Sequence, residues 1–289
     1  MKLRTMPTLY VVATPIGNLE DISLRALRTL HEVKLIAAED TRKTRRLLDR
    51  YDIRTPMTSY FEHNKLTKLE TILERLGTED VALVSEAGMP GISDPGYELI
   101  VAAAKRDITV VPVPGPSAVT TALAVSGLPT DRFTCIGFLP NRAPARRRAL
   151  EAVAGEPGTI IALEAPHRLA AALEDILLTL GDRRIAVCRE LTKLHEEVFR
   201  GTVSGAIEHF RTPRGEFTLV IEGKGGGERP QMTEAVAERL RRMSLAGTRA
   251  KEAIAAVAGE TGLPRKELYQ AWLRLDRARE KEKDSCKNR

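Results

Sequence analysis

Two α/β halves in series, followed by a small helical extension, are what the sequence predicts. Three observations carry that expectation. Short β-branched runs alternate with longer stretches of helical periodicity up to residue 223. A glycine-rich stretch, GKGGGERP at 223–230, then breaks the pattern and reads as a flexible linker. Beyond it only helical spacing recurs, ending in a charged tail. At 289 residues the chain is long enough for two domains of about 100–150 residues and an appendage. The expected boundaries are 1–128, 129–223 and 224–289.

Taken in order, Leu9–Ala13 (LYVVA) reads as a buried strand. Residues Leu19–Val33 place Ile22, Leu24, Leu27 and Leu30 at helical spacing. Leu35–Ala38 is a second strand, followed by a basic helix from Thr41. Val81–Ser85 is a third strand, and Asp94 is the expected N-cap of the next helix, with Pro95 at its first position. Thr109–Val113 is a strand, and Gly115-Pro116-Ser117 opens a helix over Ala118–Ser126. This alternation implies a mostly parallel sheet whose ligands bind beyond the carboxyl ends of its strands.

Gly127-Leu128-Pro129 is a turn signal and marks the expected junction between halves. Past it, Thr134–Leu139, Thr159–Leu163, Ile185–Arg189 and Phe217–Ile221 read as strands, with helices over Ala145–Val153 and Arg168–Leu180. After the linker come three helical patterns, Thr233–Met243, Arg249–Thr261 and Arg265–Leu275. They have the outline of a helix-turn-helix, and equally that of a small helical cap. Arg277–Arg289 has the composition of a disordered tail.

The formal charge of +6 and a pI near 9.3 favour an anionic partner such as nucleic acid. The charge gathers at Arg42, Lys43, Arg45, Arg46 and Arg50, at Arg142 with Arg146 to Arg148, and in the tail, although solvated helix faces have the same composition. Aromatics make up only 4% of the residues, so base stacking should not dominate a nucleic-acid contact. Cys135, Cys188 and Cys286 show neither CxxC nor metal spacing, and the first two sit in apolar runs that predict burial. No signal core and no long apolar run is present, so a cytoplasmic protein with neither membrane nor metal partner is expected.

Four strand-to-helix crossings carry unusual chemistry. The turn after the first strand, ATPIGNL, lets main chain approach a ligand and makes Pro15 and Gly17 candidates. Glu39-Asp40-Thr41-Arg42 ends the second strand with paired carboxylates, one of which could accept a proton, although spacing alone favours Asp40 or Thr41 as a cap of the helix that follows. The third crossing, SEAGMPGISDPG, holds three glycines and two prolines, far more than a turn requires. The fourth offers a helix N-terminus at Ser117 and Ala118, suited to a carboxylate. His63, in YFEHN, is a general-base candidate, and Asn64 is a substrate-binding one. EAPHR and RELTK end strands of the second half and could face the same cleft. Neither GxGxxG nor a Walker A pattern occurs, which disfavours a dehydrogenase or P-loop enzyme.

In matching order over about 8–223, LYVVATPIGNLEDISLRAL, AEDTR, SYFEHN, SEAGMPGISDPG, PVPGPSAVTTALAVSGLP, GFLP, EAPHR, CRELTKLHEE, RGT and GEFTLVIEG resemble one family. It is the small-subunit ribosomal RNA methyltransferase I family, within the tetrapyrrole methylase (class III methyltransferase) superfamily. The resemblance implies a two-domain class III fold with a cofactor cleft between the domains, and a homodimer. It implies S-adenosylmethionine as cofactor and 2′-O-methylation of a cytidine in the decoding region of 16S rRNA in the 30S subunit. By motif, Glu86, Ala87, Gly88, Met89, Ser93 and Asp94, with Ser117 and Ala118, would hold the methionine portion. Leu139, Pro166, Gly215 and Glu216 would lie against adenosine. Strand-end and loop placement beside that cleft, rather than the resemblance, makes Asp40 or Glu39 the expected base, with His63 as the alternative, and Arg42 and Lys43 the expected phosphate holders. Cobalamin-pathway relatives carry a compact Gly-Asp-Pro where this loop is longer, which counts against a tetrapyrrole substrate. A tetrapyrrole or diphthine-type methyltransferase and a non-catalytic RNA-binding protein remain the alternatives.

Overall fold

A computed structural model describes residues 7–61, 65–225 and 232–275. His63, Asn64 and the tail Arg277–Arg289 lie outside the described residues. The chain divides into two units, one ending at Lys224 and one beginning at Gly225.

In the first unit, one sheet contains β1 (Thr8–Val12), β2 (Leu35–Ala38), β3 (Met57–Ser59), β4 (Val81–Val84) and β5 (Thr109–Val113) in the order β3-β2-β4-β1-β5. Every pairing is parallel. Helices α1 (Leu24–Glu32) and α2 (Thr41–Arg50) cover one face, α3 (Lys65–Leu76) and α4 (Tyr97–Lys105) the other. Burial on both faces explains why β4 is apolar throughout: Ala82 and Val84 pack with Leu30 and Leu48, while Val81 and Leu83 pack with Ile72 and Leu99.

The second sheet contains β6 (Phe133–Phe138), β7 (Thr159–Glu164), β8 (Arg184–Arg189), β9 (Glu197–Thr202) and β10 (Phe217–Ile221), ordered β6-β7-β10-β8-β9. Only β6 and β7 pair in parallel. Helices α6 (Ala143–Ala152), α7 (Leu169–Leu180) and α8 (Val203–His209) fill one face with Leu150, Leu173, Ile176 and Ala206. The other face receives α5 (Ala118–Ser126), whose Ala122 and Leu123 meet Ile161, Ala186 and Val220. A helix that leaves the first sheet thus packs on the second. In the unit from Gly225, α9 (Glu234–Leu245), α10 (Ala250–Thr261) and α11 (265–275) close around Leu240, Val257, Leu268 and Trp272.

Several expectations need correction. The helix expected over Leu19–Val33 is interrupted: Asn18 caps a single 3-10 turn, Leu19–Asp21, and Ser23 starts α1 by accepting from the Ala26 N–H at 3.1 Å. Asp94 is not an N-cap. Helix α4 begins at Tyr97, and the cap position belongs to Gly96 at φ 144°, where a side chain would meet Leu83 and the Gly91 backbone. Cys135 is exposed, because it lies on an edge strand and points away from the helices that its neighbour Ile136 packs against. Arg146 is buried and paired with Asp175, which also accepts from Arg147, so it is no part of a free basic surface. Burial pushes the Asp175 carboxyl up, but both guanidinium groups outweigh that and hold it below the usual range.

Strands β3 and β9 and helix α8 carry no clear sequence signal, whereas α3, absent from the expected elements, places Leu69, Ile72, Leu73 and Leu76 at helical spacing. The three residues of β3 show no period, and edge strand β9 has only two apolar residues, Val198 and Phe199, side by side and followed by Arg200 and Gly201. Among the described residues, no helix is long and apolar enough to cross a membrane.

Candidate active site

The carboxyl ends of the first sheet's strands converge. Thr14, just past β1, exchanges two main-chain hydrogen bonds with Gly88, at 2.9 and 3.0 Å, so the first and third crossings form a small bridge. Gly88 makes that bridge at φ 81°, a conformation that excludes most side chains. The Thr14 hydroxyl donates to the Ser85 carbonyl, and the Ser85 hydroxyl reaches the Ala87 and Gly88 carbonyls. At the end of β2, the Glu39 carboxylate accepts from the Glu86 N–H at 3.0 Å. Beyond β5, Ser117 occupies the cap position of α5 without a side-chain capping bond, leaving first-turn N–H groups for a ligand.

These crossings form one wall of a cleft of about 600 Å³. The opposite wall comes from the second sheet: Phe138 ending β6, Leu163 to His167 around the end of β7, Cys188 and Leu191 near the end of β8, and Glu216 to Thr218 entering β10. The antiparallel direction of β10 is what brings its amino end to the same edge. The volume lies within the ordinary range for small-molecule sites.

The lining is acidic within a basic chain. Glu39, Glu86, Asp94, Glu164 and Glu216 contribute carboxyl groups, while the lining among the described residues holds neither Lys nor Arg. Cations stand just behind. Lys43 contacts the Glu86 carboxylate, and Lys193 donates to Glu216 and Glu190, both at 2.9 Å. Burial pushes the Asp94 carboxyl up, the neighbouring charges of Glu39 and Glu86 push it further, and the Ser85 hydroxyl only partly opposes them, so its pKa is raised to about 7. Burial likewise takes the Cys188 thiol to about 11, leaving it an inert part of the wall. Among the described residues, no cluster of His, Cys, Asp and Glu could hold a metal ion.

The structure brings Glu39, Glu86, Ala87, Gly88, Met89, Ser93, Asp94, Ser117, Ala118, Pro166 and Glu216 to this cleft. Other expected residues stand elsewhere. Pro15 is buried in the first crossing, and its neighbour Ile16 takes the wall position. Gly17 is pressed against Leu191, Thr192 and Lys193, where the Asn18 N–H donates to the Thr192 hydroxyl at 3.0 Å. Leu139 is packed into the second core, and Phe138 faces the cleft instead. Gly215 lies tight against the Glu190 side chain. Asp40 caps α2, accepting from the Arg42 and Lys43 N–H groups at 2.8 and 3.2 Å. Arg42 extends to solvent, with its side chain 92% exposed. Phe138 had no signal in the sequence, since a strand-end aromatic reads as core.

Residues 8–206 match the family model for tetrapyrrole (corrin/porphyrin) methylases. The ribosomal RNA small subunit methyltransferase I of Halalkalibacterium halodurans is 48% identical over 272 residues, covering 92% of this chain and 94% of that protein. Its namesake from Thermotoga maritima is 51% identical over 222 residues, covering 76% of this chain and all of that protein. The chain belongs to the ribosomal RNA small subunit methyltransferase I family. In this family member, residues 231–276 further match the model for the RsmI C-terminal HTH domain, which spans the three helices after the linker. Solved neighbours share the two-sheet fold. Diphthine synthase superposes with a TM-score of 0.60 at 15% identity, over 74% of this chain and 90% of its own. A uroporphyrin-III C-methyl transferase from Thermus thermophilus, complexed with S-adenyl homocysteine, superposes with a TM-score of 0.54 at 19% identity, over 74% and 97%. The class III two-domain fold with a helical extension is therefore the fold of this ribosomal RNA methyltransferase I family member.

Proposed function

We propose that this chain methylates the 2′-hydroxyl of a cytidine in the decoding region of 16S rRNA, within the 30S subunit, with S-adenosylmethionine as donor. The observation that carries the reading is the reversal of charge between the carboxylate-lined cleft and the basic helix α2 beside it. A cleft of that sign repels a polyphosphate nucleotide and favours a cationic ligand, while α2 presents Arg42 and Arg46 to an anionic polymer.

The residues fit this cofactor. Glu164 is fully buried on the cleft wall. One of its oxygens is held by Arg168 and the Ala165 N–H, whereas Oε2 has no hydrogen-bond partner among the described residues. A buried carboxylate oxygen left unpaired is costly, and an N–H or O–H of adenosine would satisfy it. The free N–H groups of α5 at Ser117 and Ala118 suit the methionine carboxylate. The main chain of Glu86 to Met89 lines the space between these ends, and Pro166 and Glu216 flank the adenosine end. When bound, S-adenosylmethionine supplies the activated methyl group and its own leaving group, so the protein chiefly aligns acceptor with donor. Homodimerisation belongs to the same proposal and is supported by Ile92 and Phe138, large apolar side chains exposed at the cleft mouth.

The test is transfer of label from S-adenosylmethionine to 30S subunits, with the labelled nucleotide mapped by mass spectrometry of nuclease digests. The expected product is one cytidine labelled on its ribose. Label on a base, or transfer to a tetrapyrrole but not to RNA, overturns the proposal.

A further inference from the structure

We propose that Asp94 is the catalytic residue that accepts the proton of the ribose hydroxyl. The inference rests on the ribose-methylation reading above and adds to it a residue for the chemical step.

The geometry singles Asp94 out by elimination. An effective base needs a free lone pair facing the acceptor, and each other acid at this cleft is held by a donor, Glu164 keeping only its Oε2 open, at the adenosine end. Glu39 is held by the Glu86 N–H, and Glu86 by Lys43. Glu164 is held by Arg168 and the Ala165 N–H, and Glu216 by Lys193. Asp40 lies off the cleft, where its carboxylate caps α2. Among the described residues, the Ser85 hydroxyl is the hydrogen-bond partner of Asp94, which lines the open space beside Glu39 and Glu86.

Its backbone setting points the same way. The crossing from β4 to α4 gives up a side-chain cap, with Gly96 in that position, so Asp94 is not spent on the helix. The residue before it, Ser93, is held at φ 62°, an unusual conformation for a non-glycine residue. The Ser93 hydroxyl lies so close to Gly137 of the second sheet that a side chain there would crowd it at 3.2 Å. Strain of this kind persists where surrounding structure fixes a residue for use.

Electrostatics then suit the task. Two like charges face Asp94 from the ends of β2 and β4, Glu39 and Glu86, with Lys43 of α2 behind Glu86. Across the cleft stand Glu164, His167 and Glu216. Burial and the two glutamates hold the carboxyl near 7, where a base is both available and strong enough. A cation bound in the cleft favours the ionised form, so the pKa falls below that value when the donor is present. In the step itself the O–H bond breaks and its proton goes to the Asp94 carboxylate. The hydroxyl oxygen's electron pair forms the bond to the methyl carbon. The carbon–sulfur bond breaks with its pair left on sulfur, giving a neutral thioether product. Charge balances, since one carboxylate and one sulfonium become one carboxylic acid and one thioether.

The experiment compares wild type, Asp94→Asn, Asp94→Glu and His63→Gln in single-turnover methylation of 30S subunits across pH at saturating cofactor. Cofactor affinity is read by calorimetry, and the thermal midpoint is followed against pH without cofactor. In wild type the rate should rise tenfold per pH unit and level off below about pH 7. At saturating cofactor, Asp94→Asn should lose about 100-fold in rate and lose that acid limb. Asp94→Glu should restore part of the rate together with the limb. The thermal readout has a definite sign. A carboxyl raised from 3.8 to about 7 binds its proton more tightly when folded, so wild type loses stability as pH rises between those values. Asp94→Asn should therefore gain in midpoint over wild type from about pH 4 upward and level off above about pH 7. If wild type labels a ribose and Asp94→Asn keeps both limb and rate, or if His63→Gln loses the limb instead, Asp94 is not the base. If wild type labels no ribose at all, the function reading has failed, and this inference falls with it.

Discussion

The cleft and helix α2 carry opposite charge within a few residues of one another. From the end of β2, Glu39 turns into the cleft, Asp40 closes the first turn of α2, and Arg42 reaches into solvent. One crossing thus serves an enclosed acidic space and an exposed basic face. The difference teaches how a small cationic ligand and a long polyanion can be received side by side without exchanging places. Carboxylates partly removed from water act strongly at short range. Guanidinium groups in solvent are screened over about 8 Å at physiological salt, and they act by number.

Salt should separate the two regions most sharply. If Arg42, Arg45, Arg46 and Arg50 each meet one phosphate of single-stranded RNA, raising salt from about 50 to about 200 mM should weaken RNA binding about 50-fold. Cofactor affinity, measured by calorimetry over the same range, should move by less than about threefold. Equal salt sensitivity for both ligands would break the contrast. The next effect belongs to the cleft alone. Glu164→Gln keeps the shape and an acceptor for the Ala165 N–H but removes the charge from the unpaired oxygen. Cofactor affinity should fall about 10-fold, in line with a charged hydrogen bond, while the salt slope for RNA stays unchanged. An unaltered affinity would mean that Glu164 serves only its pairing with Arg168.

The two regions were not equally legible in the sequence. Basic helix α2 is visible as a run of cations on an amphipathic period, and its start is marked by Asp40, so both its place and its exposure follow from local rules. The first sheet's crossings were legible for a similar reason: a strand, a surplus of glycine and proline, then a helix. The cleft's second wall was harder to read. Glu164 and His167 sit in EAPHR, a stretch that could be noticed, but nothing local says that β10 runs antiparallel and brings Glu216 beside them. Phe138 and Cys188 line the cleft with side chains typical of a core. The placement of α5 on the second sheet is likewise a tertiary fact, since its apolar residues would fit either sheet. Arg146 shows the opposite failure. Its cationic neighbours suggested a surface patch, whereas Asp175, 29 residues away, takes it into the interior.

The smallest effect lies at the boundary between the two regions and sharpens the comparison most. Asp40 is negative, sits beside the cleft and begins the basic helix, so it could belong to either. Its carboxyl is held below the usual range: burial works against this, but bonds from the Arg42 and Lys43 N–H groups, with the charges of those residues, outweigh it. A depressed carboxyl contributes stability above its unfolded pKa and loses it as pH falls through the folded value, so the contribution is present at neutral pH and fades below about pH 4. Asp40→Ala should therefore cost about 1 kcal/mol in denaturant unfolding at pH 7, the usual worth of an N-cap, and the difference from wild type should shrink toward acid. Asp40→Asn, which retains an acceptor oxygen, should recover most of it. Methyl transfer, measured at a temperature where both variants stay folded, should remain within about threefold of wild type. A loss of about 100-fold in Asp40→Asn with its stability intact would instead move Asp40 from helix cap to proton acceptor, and the division between cleft and helix would have to be drawn one residue later.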